Sequence, residues 1–550
     1  MSSRKKSDAG FLMQGSILAV ASIISRIVGL IYRVPLTAII GKTGNDYYGT
    51  AYEIYNIILL ISSYSIPLAV SKLVSARMSK GHVADAFKVL RGALCFAVIS
   101  GGLATTILLV FADVFTGMLK TPLATIALRV LAPTIFIVAV LGVFRGFFQG
   151  LHTTIPSAMS QILEQIVNAI VSVTAAFMLY NYGRKVGAVL ADESKYAAAY
   201  GAAGGTLGTC IGALFGLFFV LFVYFAFRKS FVRRVKKDRH RPRESYSEIF
   251  SVLVMTIIPV LLSTTVYNIS SIIDQGIFKN IAVLQGYDSA LISEWWGVYS
   301  GQFKVLINVP ISIASALAAS AVPSLTAAYQ SKNYASVKNQ INLAQRFIMV
   351  IAFPCFIGMA VLSQPLMMLL FKDTDKTSGY MMIVGAISIV FYSLSTLSNG
   401  LLQGIDKLRI PVRNAVLALF GNVLMLLLLM EAFHLNIYAV VLANAFYALC
   451  MCFLNGFSVA RYSGARMDIK LAVVIPALSS VIMGLFVFGA YKLVMAVVSS
   501  NALATFVGIV VGVFVYFVTL ILLKGMTEEE LLSFPKGRVL VKIAKKLHLM

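Results

Sequence analysis

Gly146-Phe147-Phe148-Gln149-Gly150 followed by Pro156 returns in the second half of the chain as Gly400-Leu401-Leu402-Gln403-Gly404 followed by Pro411. The glycine pairs lie 254 residues apart and the prolines 255. A second pattern repeats at an offset of 252, where Ala69-Val70, Leu73, Ala76 and Ser79-Lys80 are answered by Ala321-Val322, Leu325, Ala328 and Ser331-Lys332. Two matches at almost one offset point to a chain built from two similar halves. What kind of halves they are follows from the residues between.

Of 550 residues, 59% are hydrophobic and 12% charged, and the mean hydropathy is +0.87. Soluble domains carry about 25% charged residues. Apolar windows of about 20 residues, enough to cross the hydrocarbon core as a helix, recur along the whole sequence. Fourteen spans are expected, near 10–40, 47–71, 92–111, 124–149, 155–180, 201–227, 247–278, 295–328, 347–370, 379–402, 410–431, 437–460, 471–497 and 502–523. The first follows Arg4, Lys5 and Lys6, is about twice as long as a signal-peptide core and carries Arg26 and Arg33, so it reads as a retained span. Six spans lie within the repeat offset. That number is even, so both halves cross in the same sense, related by an axis along the membrane normal. The expected fold is an all-α polytopic membrane protein. A six-helix lobe covers 1–227, a basic linker 228–246, a second six-helix lobe 247–466, two additional helices 467–524 and a basic tail 525–550.

The net charge of +24 would suggest a nucleic-acid partner in a soluble chain. Here it reads as topology. If the N-terminus is cytoplasmic, 32 of the 46 Lys and Arg residues fall in segments on that side. The opposite loops hold eight: Lys42, Lys120, Arg184, Lys185, Lys195, Lys279, Lys372 and Lys376. Basic residues are retained inside, so both termini are expected in the cytoplasm of a bacterial cell membrane. Trp295 and Trp296, the only tryptophans, are then expected at the outer interface. The linker from Arg228 to Tyr246 reads as a topogenic segment that attracts anionic lipid, at about 1 kcal/mol per basic residue.

An ionisable side chain at mid-bilayer costs about 2.5–3.5 kcal/mol on insertion scales, so each one asks for a function or a partner. Arg26, Arg33, Glu53, Arg129, Arg145, Glu164, Asp274, Lys304 and Lys492 fall within the expected spans. Arg129 and Lys492 lie near enough to span ends to snorkel. Arg26, Gly29 and Arg33 share one helix face. Together with Glu53, Asp274 and Lys304 they are expected in the outer half of the membrane, where a net positive central cavity would suit an anionic substrate. Ion pairing of Asp274 with Lys304, and of Glu53 with Arg26 or Arg33, is the alternative. Lys304, Asn308, Ser312 and Ser315 continue a polar face along span eight, and Thr264, Asn268, Ser271 and Gln275 along span seven. Gln161, Glu164, Asn168 and Ser172 form another on span five, beside Arg145 and Gln149 of span four. For Arg145, Gln149 and Glu164 an internal clamp is favoured over substrate contact. Gly204, Gly208, Gly212 and Gly216, at every fourth position, predict close helix packing.

Little in the sequence suggests an enzyme. Gly41-Lys42-Thr43 ends like a phosphate-binding loop, but Leu36 stands where the earlier glycine is required. The five histidines are scattered without ligand spacing, and Cys95, Cys210, Cys355, Cys450 and Cys452 lie in apolar stretches without a CxxC pair. No metal or cofactor is expected, and coupling to the membrane potential, Na+ or H+ stays open.

The fourteen spans, the repeat, Ser25-Arg26-x-x-Gly29 and Arg145-Gly146-x-x-Gln149-Gly150 resemble the MOP exporter superfamily. Within it the chain is similar to the polysaccharide-transporter branch of SpoVB-like and YtgP-like proteins, and more distantly to MurJ-type lipid II flippases. The resemblance implies two six-helix lobes arranged in a V. It also implies alternating access that carries an undecaprenyl-pyrophosphate-linked sugar, lipid II or a related unit, from the inner to the outer leaflet, with a lipid-tail groove beside the last two helices. By resemblance Arg26 matches a cavity arginine of the first span, Asp46 an acid before the second, and Lys304 a basic residue of span eight. The chain departs from MurJ-type proteins in carrying Tyr32-Arg33 late in span one, and it lacks their basic residue near Leu59. A monomeric flippase is the leading expectation. A cation-coupled multidrug exporter of the same superfamily is the alternative, and a membrane glycosyltransferase or a wall-synthesis scaffold are alternatives of other classes.

Overall fold

The computed structural model describes residues 2–63, 65–237 and 245–526. The middle of the basic linker, 238–244, and the tail from 527 onward lie outside them. Among the described residues every regular element is helical. In chain order they are α1 (Ser2–Ser62), α2 (Ile66–Met78), α3 (Val83–Val110), α4 (Ala112–Met118), α5 (Ala124–Gly150), α6 (Ile155–Val189), α7 (Glu193–Lys237) and α8 (Tyr246–Leu284). There follow α9 (Ser289–Val298), a π-helical turn (Tyr299–Phe303), α10 (Lys304–Gln330), α11 (Tyr334–Val361), α12 (Ser363–Phe371), α13 (Lys376–Gly385) and α14 (Ser388–Gly404). The chain closes with α15 (Arg409–Glu431), α16 (Asn436–Ser463), a second π-turn (Lys470–Val474), α17 (Ile475–Val498) and α18 (Asn501–Leu522).

Among the described residues eleven helices are long and apolar enough to cross a membrane, or twelve if α13 and α14, bent by 45°, form one span. This is a multi-pass membrane protein. Its surface agrees, since Phe222, Leu485 and Phe506 are 73%, 69% and 64% exposed, which suits lipid and not water. Several expected spans are broken. The second is interrupted between Ser62 and Ile66, because Pro67 in the first turn of α2 cannot continue the preceding helix. The first two run together as α1, which kinks at Gly41 with φ +69°, a left-handed conformation that glycine adopts without a Cβ clash. The Gly41-Lys42-Thr43 segment is thus part of a helix kink.

By packing, the chain forms two compact units, one ending at Gly301 and the other beginning at Gln302. In the first unit α5 runs through two cores. Ala124 to Ile135 pack with Tyr47 to Tyr55 of α1 and Ala198 to Ala203 of α7. Ala139 to Phe148 pack with Ile66 to Val74 of α2 and Ala86 to Ala97 of α3. Helices α6 and α7 lie in close contact because a Cβ at Gly204 would meet the Ala175 carbonyl, and one at Gly208 the Ser172 hydroxyl. The glycine stripe therefore packs helices together, as expected. In the second unit, α11, α17 and α18 share a core around Val350, Met483, Val487 and Tyr516.

The repeated glycines make like contacts in the two units. A Cβ at Gly146 or Gly150 would strike Pro67 or Val74 of α2. One at Gly400 or Gly404 would strike Ala318 or Leu325 of α10.

Candidate functional site

One set of buried polar groups of the first unit gathers around the second half of α1. Helix α8 starts firmly, with Ser245 accepting from the Glu248 backbone N–H while the Glu248 carboxylate accepts from the Ser245 N–H. It ends at a turn with Gly286 at φ +82°, after which the Asp288 side chain caps α9 by accepting from the Ala290 N–H. This turn brings α9 back along α8 and against α1.

Asp46, Thr50 and Glu53 then face α8 at i, i+4 and i+7. Lys279, Gln275 and Ser271 face them in reverse order, which makes an antiparallel ladder of three rungs. Lys279 Nζ donates to Asp46 Oδ1, in an ion pair with both side chains 1% exposed. Gln275 Nε2 donates to Thr50 Oγ1. Ser271 Oγ donates to Glu53 Oε1 at 2.6 Å. The first rung is reinforced on every side. Ser293 Oγ of α9 donates to Asp46 Oδ2 at 2.6 Å, Thr50 Oγ1 donates to Asp46 Oδ1 at 3.2 Å, and Lys279 Nζ also donates to Thr121 Oγ1 at 2.6 Å. The Lys279 ammonium lies 6.0 Å from the Trp296 ring centroid, and that ring stacks on Phe278. The backbones close tightly beside the ladder, where a Cβ at Gly297 would overlap the Lys42 carbonyl and one at Gly301 would crowd Asn45.

Two expectations change here. Lys279, expected in an outer loop, is fully buried, because Asp46, Thr121 and the Trp296 face replace the water its ammonium would lose. Trp296, expected at the interface, is also fully buried, and only Trp295 is partly exposed. The polar face of span seven did carry a signal. Ser271, Gln275 and Lys279 step by four, so the face continues to Lys279, one residue beyond the expected end of that span.

The other site residues fall in several places. The Arg33 guanidinium sits over the rings of Tyr48 and Tyr52, at 4.6 and 5.6 Å from their centroids. Tyr52 is bonded in turn to Thr209 of α7, which donates to Asn168 of α6 at 3.4 Å. Arg33 thus belongs to an aromatic and polar cluster of α1, α6 and α7. The Arg26 side chain lies outside the described residues. Asp274 is buried and Asn268 exposed on α8. Lys304, half-buried, opens α10 in the second unit, with Asn308 exposed one turn later.

Arg145 bridges α5 and α6. Its Nη2 donates to Glu164 Oε2 at 2.7 Å and its Nε to Ser160 Oγ at 2.8 Å, with the two charged side chains 13% and 19% exposed. Beside this pair α7 approaches closely, since a Cβ at Gly212 would meet the Glu164 backbone carbonyl, and Gly216 packs next to the Arg145 guanidinium. Gln149 is half-buried and makes no side-chain hydrogen bond among the described residues. Arg129, at a span end, pairs with Asp113 at 2.7 Å on the surface.

Residues 11–329, more than half the chain, match a family described as "Polysaccharide biosynthesis protein". The chain belongs to that family. Among curated relatives of this chain, "Lipid II flippase MurJ" of Bacillus subtilis (strain 168) is 24% identical over 421 residues, 74% of this chain and 75% of the relative. "Stage V sporulation protein B" of the same organism is 22% identical over 534 residues, 97% and 99% of the two chains. Among solved structures, the inward closed conformation of a lipid II flippase MurJ aligns with a TM-score of 0.65 at 15% identity, covering 91% of this chain and 97% of that one. An inward-facing multidrug resistance MATE family transporter of the MOP superfamily aligns with a TM-score of 0.64 at 16% identity, covering 80% and 96%. The chain therefore has the fold seen in a lipid II flippase MurJ and in a MATE family transporter of the MOP superfamily, and its curated relatives include a lipid II flippase.

Proposed function

We propose that this protein is a flippase that carries an undecaprenyl-pyrophosphate-linked cell-wall precursor from the inner to the outer leaflet by alternating access. The observation that carries the reading is the ladder between α1 and α8, in a chain whose relatives include a lipid II flippase. A static helical scaffold in lipid would be more economically held by apolar packing, because burying an ion pair costs desolvation that an apolar pair does not. A contact that must open onto water is different. Once water enters, Asp46, Glu53 and Lys279 are hydrated, so the open state is accessible in a way that torn apolar packing is not. The ladder is in this reading the closed outer gate, and Arg26, Arg33, Asp274, Lys304, Asn308 and Asn268 are the polar groups available along the route.

The same reading takes α1 as two spans divided at Gly41 and α8 as a further one. This gives fourteen spans with both termini cytoplasmic, arranged as two repeated six-helix lobes and two additional helices, in a monomer with anionic lipid at its basic segments. The repeat is supported by the like glycine contacts and by the polar clamps. Asn399 and Asn414 stand 254 residues after Arg145 and Ser160. They are joined through Asn455, which donates to Asn399 at 2.7 Å and accepts from Asn414 at 2.9 Å.

The test is leaflet-resolved translocation of a defined undecaprenyl-pyrophosphate-linked sugar in proteoliposomes, with and without a membrane potential. Protein-dependent transfer is expected, and Arg26→Ala should reduce it toward the protein-free rate at unchanged protein level. Efflux of organic cations without lipid transfer would contradict the proposal.

A further inference from the structure

A cleft of about 330 Å³ opens beside the first rung of the ladder. Asp46, Lys120, Lys279, Ser289 and Ser293 line it, with an apolar wall that includes Ile292. The volume suits a small polar group and not a lipid tail. Its charges are two ammonium groups and one carboxylate. Both oxygens of that carboxylate are already engaged, Oδ1 by Lys279 and Thr50 and Oδ2 by Ser293. An entering ligand therefore meets a site with net positive charge and more donors than acceptors. Lys120 is exposed at the rim, held in the left-handed region (φ 52°) by the tight turn between α4 and α5. Lys279 is sealed at the floor. Ser289 and Ser293, one helical turn apart on α9, add hydroxyls between them.

From this arrangement we infer that the cleft is a binding site for a phosphate or pyrophosphate group, with Lys120 making the first contact and Lys279 the inner one. A phosphate offers three or more acceptor oxygens and up to two charges, which matches a pair of ammonium groups flanked by hydroxyls better than a carboxylate does. Binding draws Lys279 from Asp46, and the carboxylate so released needs water, so anion binding and opening of the α1–α8 contact favour each other. The site stands on its own geometry. Its coupling to export rests on the flippase reading, in which the anion is the pyrophosphate of the carrier lipid arriving at the closed gate.

The chain carries its own reporter, because Trp295 and Trp296 are the only tryptophans and the Trp296 ring lies 6.0 Å from the Lys279 ammonium. Tryptophan emission of the full chain in nanodiscs, where both faces are accessible, is titrated with inorganic pyrophosphate and separately with a prenyl diphosphate. A saturable change with either ligand is expected. It should need at least about tenfold more ligand in Lys120→Ala and vanish in Lys120→Glu, while Lys195→Ala behaves as wild type. A prenyl diphosphate acting at about tenfold lower concentration than pyrophosphate assigns the site to a lipid headgroup, and equal potency assigns it to the free anion. Either result supports the inference. No saturable change, or an unaltered response in both Lys120 variants, overturns it. Lipid transfer without any anion response leaves the flippase reading standing and removes this site, and an anion response without transfer does the reverse.

Discussion

Asp46 and Lys279 carry the largest single consequence at the scale of one residue. Each is fully buried, so removing one partner leaves the other charged in a place water does not reach, at a cost of about 3–5 kcal/mol. Lys279→Met and Asp46→Asn are therefore expected to lower the thermal unfolding midpoint of the purified protein clearly. The double variant Asp46→Leu with Lys279→Met should recover most of the loss while transport stays impaired. Equal midpoints for wild type and Lys279→Met would show that the pair contributes nothing to the closed contact. Arg145 and Glu164 are less deeply placed, and a charge-assisted hydrogen bond of this kind contributes about 1.5–3 kcal/mol. Arg145→Ala should destabilise more than Glu164→Gln, because the amide still accepts from the guanidinium, whereas the lone carboxylate keeps only its neighbours. Arg145 and Glu164 stand on polar faces of adjacent spans, and that spacing alone brings them within reach of each other in sequence. Lys279 does not announce itself in this way. A lysine at a span end looks the same in sequence whether it snorkels to water or turns inward, and the aromatic and carboxylate groups that receive it come from distant parts of the chain.

At the scale of elements, the glycines decide how near helices approach. A Cβ at Gly208 would collide with Ser172 of α6, whereas Gly102 of α3 faces open space. Gly208→Ala is expected to cost about 1–3 kcal/mol by forcing α6 and α7 apart. Gly102→Ala should be neutral or stabilising, since alanine is the better helix former by about 1 kcal/mol. Midpoints measured on both variants check this, and equal effects would contradict it. The stripe on α7 was legible because a four-residue period of small residues has one common use in membranes. The breaks were less so. Pro67 marks the start of α2, but the π-turn at Tyr299–Phe303 has no proline within it and lies where α1 passes close to Gly297 and Gly301. A tertiary contact of that kind leaves no local mark in the sequence.

At the scale of the whole molecule, the helical and membrane-spanning character was carried by composition and window length, which depend on no contact at all. The compact units were not legible in the same way. The chain packs as one unit up to Gly301 and another from Gln302, and within the first α8 and α9 are joined to α1 through the ladder. The central claim is that this joint is a gate on the path of a lipid-linked sugar. Its most direct test is leaflet-resolved transfer of an undecaprenyl-pyrophosphate-linked disaccharide in proteoliposomes, comparing wild type with a variant in which cysteines replacing Thr50 and Gln275 are cross-linked across the ladder. The account predicts transfer by wild type, loss on cross-linking and recovery on reduction. Transfer that continues undiminished through a cross-linked ladder, or that wild type fails to accelerate over protein-free vesicles, would contradict it.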